Sequence, residues 1–273
     1  MARRSIAVTF NIVLVIIVLA VASCKKSSPQ PAKPPTPAAP KAETPKPVTS
    51  PDANTVAPKP VQPDANSAPA AVKPAAGMEP IPLVLPKPMF VGTPQNFQGI
   101  TNLEKPLGKP REPFYAPKGT TNVAFKKPVT SSDDEPIIGE IAMITDGDKE
   151  AADGSYVELG PMKQYITIDL GGPHNIYAIV VWHYHKQARV YKDVVVQVAD
   201  DPDFITNVRT IFNNDDDNSS GLGIGKDRNY VETSEGKLID AKGVVARYVR
   251  CYSNGNTSND LNNYIEVEVY GLP

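Results

Sequence analysis

The clearest pattern along the chain is an alternation of apolar and polar residues within 164–204. Ile166, Ile168 and Leu170 are apolar, and the residues between them are more polar. This alternation predicts a strand with one buried face. The Gly-Gly-Pro sequence at 171–173 then breaks the run, and we expect the chain to turn there.

The next predicted strand is apolar on both faces. Residues 176–184 are largely apolar, as in a strand that is packed on both sides. Val194, Val196 and Val198 alternate again before a turn at 200–202. Similar short runs recur between Gly, Asn and Asp turns, and no long helical pattern follows the N-terminal segment. The sequence therefore predicts an all-β sandwich.

Residues 1–23 have a different pattern from the rest of the chain. Arg3 and Arg4 precede an apolar run from Ile6 to Ala22, which is the order of a secretory signal peptide. The sequence Val-Ala-Ser-Cys ending at Cys24 resembles the bacterial lipobox, in which the cysteine is lipidated before cleavage. We expect lipidation of Cys24 and an extracytoplasmic domain tied to a bacterial membrane, periplasmic or at the cell surface. The alternative is an uncleaved transmembrane anchor.

Proline dominates the next segment, residues 24–96. The range contains 19 of the 29 prolines and too little apolar surface to offset the entropy cost of ordering. We predict a disordered linker that spaces the domain from the membrane, with a polyproline ligand for a partner domain as the alternative. Residues 97–121 are predicted to be an extended lead-in, irregular up to residue 118, that packs on the domain through aromatic residues such as Phe114.

The charge of the predicted domain limits the classes of ligand that it can bind. Residues 97–273 carry 18 Lys and Arg against 26 Asp and Glu, and an acidic domain repels nucleic acid and anionic lipid head groups. Cations and neutral ligands such as sugars remain compatible with this charge.

The cysteine content excludes a disulfide framework. With Cys24 assigned to lipid, Cys251 is the one cysteine left in the sequence. No intrachain disulfide is expected, and Cys251 is predicted to be a small core residue.

Several blocks of sequence follow one another in a recognisable order along residues 122–271. They read NVAFKKPVTSS, ITDGD, QYITIDLG, IYAIVVW, DVVVQVADDPDF, ARYVRCYSNG and YIEVEVYG. Together they resemble the discoidin family, also called coagulation factor V/VIII C-type domains, and they are similar to the related galactose-binding carbohydrate modules. The resemblance implies an eight-stranded jelly-roll β-sandwich over 122–273, with ligand-binding loops at one end and often a structural calcium ion.

The resemblance also implies which residues would hold calcium. They are Met143, Asp148 and Ile265 through their carbonyl groups, and Asp146 and Glu266 through their side chains. Ca²⁺ prefers such oxygen ligands on a tight loop. Ala151 stands where the family often has a hydroxyl residue, which leaves a carbonyl group or Asp153 to compensate. The alternative is a plain Asp-Gly turn beside a solvated strand face.

A second acidic loop spans residues 213–227. Counted from Asp216 it has the outline of an EF-hand loop, with Asp227 at the twelfth position. Flanking helices are absent and the twelfth residue is Asp rather than Glu, so a flexible, solvated loop is the preferred prediction. Its glycines are followed by neither a helix nor the Ser or Thr of a phosphate-binding loop, which argues against nucleotide binding.

Polar residues near the ends of the predicted strands are the candidate sugar contacts. The six predicted ligand-binding residues are His183, His185, Arg189, Asn214, Asn254 and Asn256. Polar groups beside aromatic rings suit the hydroxyl edges and CH faces of a sugar. The alternatives are a hydrogen-bonded rim and ordinary Asn-rich turns. A transition-metal site at the two histidines lacks a third ligand nearby in the sequence.

The sequence contains no HExxH, GxSxG or Cys-His constellation, and no pair of acids stands out as catalytic. We expect a monomeric, non-catalytic domain that is anchored to a membrane and binds carbohydrate. The alternatives are a structural or protein–protein interaction module of the cell envelope, and an accessory subunit for a polysaccharide-degrading enzyme.

Overall fold

A computed structural model describes residues 75–90, 97 and 99–273. The predicted signal peptide, Cys24 and most of the predicted linker lie outside these residues. The strands are β1 Met78–Pro80, β2 Tyr115–Pro117, β3 Thr121–Asn122, β4 Val129–Ser131, β5 Val157–Leu159, β6 Gln164–His183, β7 Val195–Ala199, β8 Arg209–Asn213, β9 Lys237–Ser253 and β10 Asn262–Leu272. A 3₁₀ helix, Ile141–Thr145, lies between β4 and β5. The described part of the chain has no helix that is long and apolar enough to cross a membrane.

The main sheet has eight antiparallel strands. Their order is β3-β10-β6-β9-β7-β8, with β4 paired to β6 and β5 paired to β10. The first half of β6 pairs with β4 and the end of β9, whereas its second half pairs with β10 and the start of β9. One hydrophobic cluster contains side chains from both halves, among them Ile168 and Ile179. The sheet therefore folds over itself, and the predicted all-β sandwich is confirmed.

Strand β6 does not end at the Gly-Gly-Pro sequence. It continues through residues 171–173, although its pairing with β9 shifts register between Asp169 and His174. Gly171 has a φ of 85°, a left-handed conformation that favours glycine. The prediction of a turn between two separate strands is therefore wrong. One long strand continues through these residues, and it is paired with other strands both before and after them.

A β-bulge decides which side of the sheet Trp182 faces. Strand alternation alone places Trp182 on the same face as Ile176 and Val180. The register shifts between Ile176 and Ala178, and such an irregularity exchanges the faces of the residues that follow. Val180 and Trp182 therefore pack in a second hydrophobic cluster, while Ile176 stays in the main one.

The segment before the sandwich contributes to this second cluster. Strands β1 and β2 form a small antiparallel sheet, and Ile81 and Ala116 are buried in the cluster with Trp182. The predicted linker boundary at residue 96 and the coil predicted up to residue 118 are thus wrong for β1 and β2. The segment is ordered here because an apolar sheet face gains stability when it is covered.

Cys251 is free and fully buried, as the sequence predicts. Burial raises the pKa of its thiol to about 12. The thiol therefore stays protonated at neutral pH and behaves as a core side chain rather than a nucleophile.

Candidate functional site

A polar cleft of about 340 Å³ opens where several connections of the fold meet. The turn before β7, the β8–β9 loop, the β9–β10 loop and residues 99–101 of the lead-in all reach it. Its lining includes Lys192, Asp193, Asn214, Asp217, Asn254 and Asp260.

The lead-in forms one wall of this cleft and is tied to the β8–β9 loop. The backbone amide of Glu104 donates to the carbonyl of Asn229 over 2.7 Å, and the amide of Asn229 donates to the carbonyl of Asn102 over 2.9 Å. The wall at residues 99–101 is therefore supported by the sandwich.

The β8–β9 loop between residues 213 and 227 is built around the side chain of Asn213. Its Nδ2 donates to the Gly223 carbonyl over 2.9 Å, and its backbone amide donates to Asp227 Oδ2 over 2.7 Å. A Cβ atom at Gly225 would lie 2.1 Å from the Asn213 carbonyl oxygen, so only glycine fits there. Asp227 thus closes the loop by accepting from the Asn213 amide.

Three carboxylates converge beside this loop. Oxygens of Asp193, Asp215 and Asp217 all lie within 4.8 Å of one another. Ser219 helps to position them: its amide donates to Asp215 Oδ1 over 3.1 Å and to Asp217 Oδ1 over 2.9 Å, and its Oγ donates to Asp193 Oδ2 over 2.8 Å. The three carboxylates come from two separate connections of the fold.

Asp215 is the buried member of this group. Burial raises its pKa, but hydrogen bonds donated by Ser220 and by the Ser219 amide outweigh that effect, so the pKa lies below its ordinary value. Asp215 is therefore ionised at neutral pH and carries a negative charge inside the loop.

Two predicted ligand residues, Asn214 and Asn254, line the cleft together. Asn254 Nδ2 donates to Asp193 Oδ2 over 2.8 Å. Asn214 is only 2% exposed, and its Oδ1 accepts a hydrogen bond from the Val194 amide over 2.7 Å. The Nδ2 of Asn214 is buried without a partner among the described residues. This amide is an unpaired hydrogen-bond donor, buried in the wall of the cleft.

The third predicted amide, Asn256, has a different position. It is buried, and its Nδ2 donates to Asn259 Oδ1 over 2.7 Å and to the Leu261 carbonyl over 2.9 Å. Its Oδ1 accepts from the Ser258 amide over 2.8 Å. Asn256 holds the β9–β10 loop in shape, which is the turn alternative and corrects its assignment as a ligand contact.

The two predicted histidines are also inside the domain. His183 and His185 are both 0% exposed. His183 Nδ1 lies 2.7 Å from Glu232 Oε1, and His185 Nε2 lies 3.0 Å from the Lys149 carbonyl oxygen. Neither imidazole is accessible to a ligand, so their assignment as direct sugar contacts is wrong. The end of β6 is covered by the loops around it.

Arg189 lies partly exposed near these histidines. Its guanidinium carbon is 4.6 Å from the centre of the Tyr184 ring, a distance typical of a cation–π contact. Its Nη1 is 3.5 Å from Asn263 Oδ1, and its Nε is buried without a partner in the described residues. A role for Arg189 in ligand binding stays a prediction.

The turn at Asp146 lies against Glu266 of β10. The Gly147 amide donates to Glu266 Oε2 over 3.2 Å, while Glu266 Oε1 is buried and has no partner among the described residues. Burial raises the pKa of Glu266 to about 9, and the nearby charges of Glu268 and Asp146 contribute to the rise. A buried carboxylate with one unpartnered oxygen is the type of group that a cation stabilises.

The other predicted calcium ligands are more dispersed. The Met143 carbonyl accepts a hydrogen bond from the Asp146 amide over 3.3 Å, and Ile265 is buried next to Glu266. Asp148 follows directly in the turn, where its amide donates to Asp146 Oδ1 over 2.8 Å. Asp153 is directed to a different partner, since its Oδ1 lies 2.7 Å from Lys186 Nζ.

Sequence reasoning missed the group formed by Asp193, Asp215 and Asp217. The local signal is an oxygen-bearing side chain at every second position after β8, with the carboxylates of Asp215 and Asp217 followed by the hydroxyl of Ser219. The EF-hand outline begins one residue later, at Asp216, and therefore leaves out Asp215. Asp193 belongs to another connection, so its contribution requires the tertiary structure.

No protein-family model and no curated protein sequence matches this chain. Solved structures do resemble it. A family 89 glycoside hydrolase from Clostridium perfringens is 21% identical with a TM-score of 0.41, and the match covers 55% of this chain and 14% of the hydrolase chain. A chitosan-binding module of a chitosanase/glucanase from Paenibacillus sp. is 20% identical with a TM-score of 0.40, over 55% of this chain and 98% of that module.

A fucose-binding module from Streptococcus pneumoniae is 18% identical with a TM-score of 0.39, and the match covers 55% of this chain and 96% of that module. This chain thus spans only a small part of the hydrolase but nearly all of the two binding modules.

Proposed function

We propose that this chain is a non-catalytic carbohydrate-binding protein whose sandwich is a discoidin-related, galactose-binding-like module. The observation that carries the proposal is the buried, unpartnered Nδ2 of Asn214, a residue that lines a cleft together with carboxylates. A sugar hydroxyl accepts one hydrogen bond and donates another. It can therefore accept from Asn214 and donate to an oxygen of Asp193 or Asp217.

The charge of the cleft favours a neutral, hydroxyl-rich ligand. Four carboxylates of the described residues line it beside Lys192: those of Asp193, Asp216, Asp217 and Asp260. Phosphate-containing ligands such as nucleic acid would be repelled by this arrangement. The volume, about 340 Å³, is at the small end of the range for ligand pockets, which suits a short glycan segment.

A glycan array probed with the full chain in detergent tests this function. The diagnostic variant is Asn214→Asp, which keeps the acceptor for the Val194 amide but removes the free donor. We expect glycan affinity to fall at least about tenfold. Asn122→Asp is the control, because Asn122 Oδ1 accepts from the amides of Ala124 and Val269 away from the cleft.

Two results would contradict the proposal. One is the absence of binding to any glycan, with capture of one discrete envelope protein instead; this would favour the protein-interaction alternative. The other is an equal loss of affinity in Asn214→Asp and Asn122→Asp, which would place the binding site elsewhere.

We also propose that the protein is anchored outside the cytoplasm by lipid on Cys24. The support is the lipobox-like sequence and the proline-rich segment after it. Lipid chains contribute roughly 0.8 kcal/mol per buried CH₂ group, so several together give stable anchoring. Mass spectrometry of the N-terminus of the membrane-extracted protein checks this proposal, and an unmodified Cys24 would contradict it.

A structural calcium ion at the Asp146 turn is the third part of the proposal. Its support is the unpartnered, buried Oε1 of Glu266 next to Asp146. The side chains of Asp146 and Glu266, with the carbonyl groups of Met143, Asp148 and Ile265, would hold the ion. When bound, calcium supplies positive charge that keeps Glu266 ionised and ties the turn to β10.

A further inference from the structure

The group of Asp193, Asp215 and Asp217 has an unbalanced charge. No Lys, Arg or His of residues 75–90, 97 and 99–273 forms an ion pair with any of the three, in contrast to Asp169 with Arg247 or Glu268 with Lys149. Like charges at this separation repel one another. A cation among them would remove the repulsion.

The geometry of the three carboxylates matches one ion. Calcium binds its oxygen ligands at about 2.3–2.6 Å, so two oxygens on the same ion are at most about 5 Å apart. The separations within 4.8 Å meet that limit. Within the described part of the chain, Asp193 Oδ1 and Asp217 Oδ2 receive no hydrogen bond, while Asp193 Oδ2 and Asp217 Oδ1 do.

A second observation at the same cleft points to a ligand beyond the ion. Asn214 is 2% exposed and lines the cleft, and its Nδ2 has no partner among the described residues. An amide NH₂ donates to oxygen and does not bind a cation. The cleft therefore combines acceptors suited to a cation with a buried donor suited to an oxygen atom of the ligand.

We propose that Asp193, Asp215 and Asp217 hold a divalent cation, best matched by Ca²⁺, which coordinates the sugar in the cleft. The sugar would offer two neighbouring oxygens, one bound to the ion and one accepting from Asn214. This inference rests on the proposed carbohydrate-binding function and adds that binding depends on the cation. The site is separate from the Asp146 turn, because it uses different residues on different connections.

Calcium alone is the first probe. Isothermal titration of the calcium-depleted full chain counts the ions bound, and Asp217→Asn keeps the Oδ1 acceptor for the Ser219 amide while removing the charge. We expect Asp217→Asn to lower the affinity of one calcium site at least about tenfold. Asp216→Asn is the matched control: Asp216 lines the same cleft but lies outside the group of three.

The background variant Glu266→Gln isolates this site from the proposed calcium at the Asp146 turn. The Glu266→Gln chain should still bind one calcium ion, and adding Asp217→Asn should lower the affinity for that ion. The cation site is overturned if the Glu266→Gln chain binds no calcium while circular dichroism shows it to be folded. It is also overturned if Asp217→Asn and Asp216→Asn weaken calcium binding equally.

The link to the sugar is tested with the best glycan from the array. Chelation with EDTA should lower glycan affinity at least about tenfold, and added calcium should restore it in the unmodified chain but not in Asp217→Asn. Glycan binding that is unchanged by EDTA overturns the bridging role while leaving carbohydrate binding intact. Calcium binding at Asp217 with no glycan bound at all supports the cation site but overturns the proposed function and the bridging role.

Discussion

His183 Nδ1 lies 2.7 Å from Glu232 Oε1, and both side chains are fully buried. The imidazole also stacks on the ring of Tyr191, with the two ring centres 4.3 Å apart. The pair joins the end of β6 to the loop before β9. These residues are sealed inside the domain, so their contribution is to stability and to the shape of the neighbouring loops.

Replacing Glu232 with alanine should therefore destabilise the domain. The change leaves His183 Nδ1 buried without its partner, and a buried polar group without a hydrogen bond costs about 1–3 kcal/mol of unfolding free energy. Urea unfolding followed by circular dichroism measures the difference. Glu150→Ala, at an exposed position, should change the unfolding free energy by less than about 0.5 kcal/mol. Equal losses in both variants would refute a special role for the pair.

Calcium should stabilise the domain through Glu266. In EDTA the buried Glu266 carboxyl lacks a partner for one oxygen, whereas a bound ion would satisfy it. At a calcium concentration 100 times the Kd, mass action contributes about 2.7 kcal/mol, or about 5–10 °C in Tm for a domain of this size. Differential scanning calorimetry with and without calcium measures the shift.

The matched pair for this experiment is Glu266→Gln and Glu150→Gln. We expect the first to lose most of the calcium-dependent shift at the Asp146 turn and the second to retain all of it. The structural calcium proposal fails if the shift in Glu266→Gln equals that of the unmodified chain.

The pair of Asp169 and Arg247 predicts a dependence of stability on pH. The hydrogen bond from Arg247 is the main reason that the pKa of Asp169 lies below its ordinary value of 3.8. Because the pKa is lower in the folded state, the stabilisation is fully present above pH 3.8 and is lost as the pH falls through the folded-state pKa. The pair is partly exposed, so screening by solvent keeps its contribution to stability small.

Asp169→Asn should accordingly lower the unfolding free energy at pH 7, and the deficit should shrink as the pH falls below 3.8. Urea unfolding curves across this range provide the measurement. Asp203→Asn, at an exposed site, is the control, and its unfolding free energy should show no deficit that shrinks as the pH falls. A deficit for Asp169→Asn that is constant with pH would count against the ion pair.

The segment 75–90, which contains β1, should detach when its buried anchor is removed. Ile81 is 7% exposed and packs in the cluster with Trp182, whereas Val84 is 70% exposed. Ile81→Ala should cost about 2–4 kcal/mol of packing free energy and speed proteolysis of this segment, while Val84→Ala should have little effect. Limited proteolysis with mass spectrometry compares the two. Identical cleavage rates would show that Ile81 does not anchor the segment.

Local patterns predicted the secondary structure better than they predicted the site. Val194, Val196 and Val198 all lie in the main core, as their alternation indicates, because a strand has a two-residue period wherever it is placed. Asn214 and Asn254 both line the cleft, and their role as ligand contacts stays a prediction. The burial of His183 could not be predicted from the local pattern, because it depends on loops that are distant in the sequence.

By itself, the sequence determined that the chain forms an all-β domain with Cys251 in its interior, since strand period and apolar content are local properties. The tertiary structure decided which face Trp182 occupies, because one register shift reverses the alternation that follows. It also decided that Asp193 meets Asp215 and Asp217, since two separate connections must fold against each other before their carboxylates converge.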